Sequence, residues 1–93
     1  MAIVVHKLPL PEPHKDSRYH LRRGFLGVHV ANQHNQPTLW FQVEQDETVT
    51  LEVQFICVGT GWSLPSNDYW HVGTIVTEAG FVWHYYAKYV NEQ

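Results

Sequence analysis

The 93-residue chain has one cysteine, Cys57, which rules out an intramolecular disulfide and any zinc site built from several thiolates. A lone thiol fits a reducing compartment. Long apolar runs are missing too. Ala2-Ile3-Val4-Val5 is broken at once by His6-Lys7, and nothing approaches the roughly 18 apolar residues of a membrane span. Neither a signal peptide nor a membrane partner is expected. Basic residues nearly vanish after the first third: residues 36–93 carry Lys88 against seven acids, while residues 1–35 carry five basic and two acidic side chains. With a net charge of −3, general nucleic-acid binding is not expected, although a local anion site near the N-terminal half is compatible with this split. The serines, Ser17, Ser63 and Ser66, lie in no nucleophile elbow, and no acid/base pair stands out. No enzyme and no cofactor are expected.

Aromatic residues and period-two alternation are abundant. Four Trp, five Tyr and four Phe exceed what so small a core usually needs, which points to a subunit interface or a ligand pocket; the alternative is that they fill the core. Val49, Leu51, Val53 and Phe55 alternate with Thr50, Glu52 and Gln54, as in a strand with one wet face. Leu26, Val28 and Val30 alternate in the same way, as do Leu39, Phe41 and Val43, and Tyr19 and Leu21. No window sustains a 3.6 period. Asn32–Pro37 reads as a hairpin loop, and Glu78–Gly80 joins two strands over Tyr69–Thr77 and Phe81–Tyr89. The proline-rich stretch 8–14 reads as an extended loop after a short N-terminal strand. Residues 1–93 thus predict one all-β domain, a small antiparallel β-sandwich or open barrel of six to seven short strands. Open sheet edges in so small a domain give a second motive for a homo-oligomer.

Seven histidines raise the question of a metal. A regular hairpin would set Ile75 against Trp83, Gly73 against Tyr85, Thr74 against His84 and His71 against Ala87. His71 and His84 would then point to opposite faces, and no metal site is expected. His84, beside Thr74 with Tyr86 and Trp70 near, is a candidate floor for a pocket; the alternative is a histidine satisfied internally. Gly59-Thr60-Gly61 lacks the Lys of a phosphate loop, so it reads either as an anion-binding nest or as a strand-ending turn. On a strand, Arg18, His20 and Arg22 project from one face about 6–7 Å apart, a ladder suited to phosphate. The alternative is an edge strand guarded by charge, its arginines paired with acids of the second half.

Four segments carry a family resemblance: Pro37-Thr38-Leu39-Trp40, Gly59-Thr60-Gly61-Trp62-Ser63-Leu64-Pro65, Val72-Gly73-Thr74-Ile75 and Phe81-Val82-Trp83-His84. Over Val5 to Tyr86 the chain resembles a family of small all-β proteins from phages and prophages, a domain of unknown function. Trp62 stands where that family's pattern has histidine, so no role of that histidine carries over. The resemblance implies a phage protein in the cytoplasm of an infected bacterial host. Joined to the surplus aromatics and the basic ladder, it leads to an expected non-enzymatic, oligomeric anti-defence protein that sequesters a small anionic or nucleotide-type signal. A base would stack on Trp62 or Trp70 while Arg18, His20 and Arg22 hold phosphate, with Thr60 and His84 completing the site. The alternatives are an inhibitor that binds a host defence protein directly and a small virion-associated structural protein.

Overall fold

The period-two pattern folds as seven strands in a computed structural model that describes residues 2–90. They are β1 (Ile3–Pro9), β2 (Asp16–Arg22), β3 (Leu26–Gln33), β4 (Gln36–Glu44), β5 (Thr50–Gly59), β6 (Trp70–Val76) and β7 (Val82–Tyr89). All pairings are antiparallel, in a three-stranded sheet of order β1-β4-β3 and a four-stranded sheet of order β2-β5-β7-β6. This is a β-sandwich. No helix occurs among the described residues, so none is long and apolar enough to cross a membrane.

The core forms where the inward faces meet. Val53, Phe55 and Cys57 of β5, Tyr85 and Ala87 of β7 and Ile75 of β6 pack with Leu8 of β1 and Leu39, Phe41 and Val43 of β4. Along one edge β3 closes onto β6 so tightly that a Cβ on Gly73 would lie 2.6 Å from Cβ of Val30. Inside, the phenol of Tyr85 lies against the thiol of Cys57, its ladder partner. Burial pushes both groups up from their ordinary values, so both stay protonated at neutral pH.

Four sequence expectations are corrected. The Asn32–Pro37 hairpin is tighter than its expected bounds: β3 and β4 are joined by His34-Asn35 alone, at φ 52° and 64°. Two successive left-handed residues make the tight turn whose twist matches a hairpin. The proline-rich loop starts at Leu10 rather than residue 8, because Leu8 and Pro9 complete β1. β1 is an edge, and the nitrogen of Pro9 faces away from β4, so no ladder bond is lost. Leu26 and Val28 do not share the core face of Val30. A bulge between Gly27 and His29 shifts the register, leaving both exposed and turning Gly27 towards Leu39. Val49 and Leu51 are exposed as well, since the chain after β7 follows β5 only as far as Glu52, whose carbonyl accepts from the Val90 amide.

Ser17 is the one described residue with a buried side-chain polar atom that has no hydrogen-bond partner. A lone hydroxyl in that position costs desolvation with no return. Ser17→Ala is therefore expected to leave stability unchanged or raise it by about 1 kcal/mol in urea denaturation; a loss of that size would show that the hydroxyl is bonded in solution.

Candidate functional site

At one end of the sandwich the chain ends β5, turns, and later starts β7, and these events gather an aromatic row. The amide of Trp62 donates to the Gly59 carbonyl at 3.0 Å, and Gly61 has φ 88°. Gly59-Thr60-Gly61 is thus a strand-ending turn that needs glycine at its third position, with the Trp62 amide already used. The turn lays the indole of Trp62 on Gly59, where a Cβ would come within 2.9 Å of the ring. His14 stacks on Trp62 at 4.7 Å, Trp62 meets Trp83 edge-on at 5.7 Å, and Phe81 stacks on Trp83 at 6.0 Å. The Thr77–Phe81 turn holds Phe81 in place: the Thr77 amide donates to the Phe81 carbonyl and the Phe81 amide to the Thr77 hydroxyl. Gly80 takes φ 89°, as its place at the end of that loop predicts.

Clefts flank the row. One of about 390 Å3 lies between the Gly59–Trp62 turn and Gly80–Trp83. Another, of about 540 Å3, lies between the sheets, with Trp83 and Ile75 on one side and Asn32, Asn35 and Gln36 on the other. Its ionisable lining residues are Glu12 and Glu78; no Lys or Arg faces it. Phe81 is 61% exposed and Trp62 43%. Large, partly exposed rings held by a rigid hairpin are the usual energetic centre of a contact surface.

Beside the row runs a polar chain that sequence reasoning missed. A bulge between His71 and Gly73 places His71 opposite Tyr86 instead of Ala87. The extra residue, Val72, flips His71, so His71 and His84 share the outer face rather than pointing apart. Thr74 Oγ1 lies 3.0 Å from His71 Nε2 and 2.9 Å from His84 Nδ1, and His84 Nε2 lies 2.8 Å from Thr60 Oγ1. The two imidazoles therefore have linked tautomers. With Thr60 donating to His84 Nε2, the Nδ1–H of His84 donates to Thr74, and Thr74 donates to His71. No carboxylate or thiol joins them: among the described residues no three His, Cys, Asp or Glu side chains gather as a metal would require.

The candidate residues from the sequence fall into three places. Thr60, Trp62 and His84 are together at the aromatic end. Arg18, His20 and Arg22 do share the outer face of β2, opposite Gln54, Glu52 and Thr50 of β5. Arg18 lies four positions along the ladder and two strands across from His84, roughly 13 Å by 10 Å from the strand spacings. It is balanced by Asp16 at 3.6 Å and Glu52 at 4.0 Å. Trp70 is on the inner side, at 6.3 Å from Phe25 and 5.0 Å from Tyr89, where it seals the core. The same bulge that flips His71 sets Trp70 inward, opposite Ala87. The residues overlooked in the sequence are Trp83, Phe81, His14 and His71. The hairpin register was the available signal for the first two.

A family model spans the whole chain: residues 1–93 match the family described as Domain of unknown function (DUF7352). The chain belongs to that family. No curated protein and no solved structure matches it.

Proposed function

We propose that this is a non-enzymatic binding protein of phage or prophage origin, which holds its target on the aromatic end of the sandwich and acts against a host defence by direct capture of a protein. The observation that carries this reading is the row His14–Trp62–Trp83–Phe81, with its two outermost large rings exposed. Charge favours a protein over a phosphate here. Lys15 is paired with Glu12 at 2.9 Å, Arg23 with Glu47 at 2.7 Å and Arg18 with Asp16 and Glu52, and the larger cleft presents carboxylates. The expected site of action is the cytoplasm of the infected bacterium.

Trp62→Ala with Phe81→Ala is expected to abolish stoichiometric capture of a host protein from lysate, since a central aromatic anchor contributes about 2 kcal/mol or more. The variant should keep the strand signature in circular dichroism. Unchanged capture would refute the aromatic end as the contact surface.

Sequestration of a nucleotide-type signal is the second reading, and its support is the shared face of Arg18, His20 and Arg22. A cleft of about 380 Å3 joins Trp62 and His14 to Lys15 and Asp16, the carboxylate that Arg18 meets at 3.6 Å, so the ligand would run from the aromatic end towards the ladder within one chain. Native mass spectrometry with linear and cyclic nucleotides tests it. Retention of one nucleotide per subunit or per interface, lost in Arg18→Glu/Arg22→Glu, would favour sequestration over protein capture.

A further inference from the structure

The sandwich has four edge strands, and three of them are blunted. β2 carries Arg18, His20 and Arg22, while β3 and β6 each contain a bulge and close onto one another. β1 has no bulge, and its guards are slight: one charge, Lys7, and Pro9 at its end. Ile3 and Val5 are 57% and 58% exposed, and His6 and Lys7 are exposed too.

The register shows which main-chain groups are free. The Gln45 amide donates to the Ala2 carbonyl and the Leu10 amide to the Pro37 carbonyl, so the even-numbered residues of β1 bond to β4. Ile3, Val5 and Lys7 therefore direct their N–H and C=O groups outward. Pro9 ends this run, and its carbonyl accepts from the Tyr19 hydroxyl at 3.4 Å. The free groups are self-complementary. Antiparallel pairing about a two-fold axis at Val5 sets Val5 against Val5 of the second copy and Ile3 against its Lys7, with every free donor meeting an acceptor.

We propose that two copies of this chain pair through β1 about that axis, joining their three-stranded sheets into one. Charge fixes the register. Glu44 stands beside Ile3 on the outer face of β4, so the Lys7 of the second copy arrives two strands from Glu44. Lys7 has that reach: within one chain its Nζ already spans β4 to meet Oε1 of Gln33 on β3 at 2.6 Å. Pairing thus converts an open edge into a ladder closed by two symmetric ion pairs. This surface shares no residue with the aromatic row, so the inference stands or falls separately from the function proposed above.

Val5→Pro tests the ladder without touching the monomer's own hydrogen bonds, because the Val5 amide faces away from β4. Sedimentation of the wild type at micromolar concentration is expected to give a dimer and of Val5→Pro a monomer. Val5→Cys reads the axis directly. The paired Cα atoms would lie about 5.5 Å apart, within disulfide range, so mild oxidation should yield a covalent dimer. Cys57 is buried and does not compete. Leu26→Cys, exposed on β3, should not cross-link. Lys7→Glu should weaken the dimer roughly two- to fivefold, with recovery in Lys7→Glu/Glu44→Lys. A monomeric wild type, a dimeric Val5→Pro, or a Val5→Cys that stays uncross-linked would each overturn the proposal. If Val5→Pro fails to fold, the cross-link decides alone.

Discussion

Gly73→Ala is expected to destabilise the protein by about 3 kcal/mol, the upper end for overpacking, and to lower Tm by roughly 10–20 °C. Elsewhere in a strand the same change tends to help, because alanine loses less backbone entropy on folding than glycine. Here the sign reverses through β3. The new methyl would sit 2.6 Å from Cβ of Val30, an atom fixed to its backbone, so the strands must part for the side chain to fit. Parting them opens the edge where β3 closes on β6, next to the Trp83 cleft. Val30→Gly should restore part of the loss, and a double-mutant cycle in urea gives the coupling. A Gly73→Ala protein within 0.5 kcal/mol of wild type would mean that β3 and β6 do not approach this closely.

The second large effect is on alkaline stability. Tyr85 and Cys57 are held protonated in the folded core, whereas in the unfolded chain they ionise near their ordinary values of 10.0 and 9.0. Above those values the unfolded state binds fewer protons than the folded one, so the free energy of unfolding falls as pH rises. Stability is expected to be flat from these two groups below pH 9, to decline from there, and to fall more steeply past pH 10. Tyr85→Phe removes the steeper part of the decline while costing stability at neutral pH through the lost contact with the thiol. Cys57→Ala in addition should remove the onset near pH 9, leaving a weaker decline past pH 10 from Tyr69, whose phenol is also raised by burial. Chemical denaturation from pH 8 to 11 measures this; a Tyr85→Phe profile as steep as wild type would place the alkaline sensitivity elsewhere. The same burial makes Cys57 slow to alkylate until the protein unfolds.

Local alternation made much of the fold readable. Leu39, Phe41 and Val43 are the buried face of β4, and Ile75 against Trp83, Gly73 against Tyr85 and Thr74 against His84 are the observed partners. What escaped was any place where one residue breaks the period. Val72 sends His71 to the face of His84 and Trp70 into the core, so the polar chain and the seal beneath the sheet were both invisible to a regular register. Gly27 and Val28 do the same in β3. The aromatic row was illegible for a different reason. His14, Trp62 and Phe81 are distant in sequence, and their meeting depends on which strands pair across the chain, which periodicity does not encode. Glycines were legible as punctuation yet not in purpose: Gly73 answers to Val30 on another sheet, and Gly59 to an indole three residues on.

The order β2-β5-β7-β6 has a consequence for how the protein is made. Among the described strands β7 alone links β5 and β6, which share no other partner. Until Val82–Tyr89 leaves the ribosome, β6 has no ladder partner and the long edge of β5 is bare. A nascent chain stopped before β7 would hold the three-stranded sheet and the β2/β5 pair, but nothing to close the core over Phe55. Closure of the core is then committed by β7, so a chain cut after residue 81 should be protease-sensitive throughout, whereas the chain that includes β7 should become resistant as a unit rather than strand by strand.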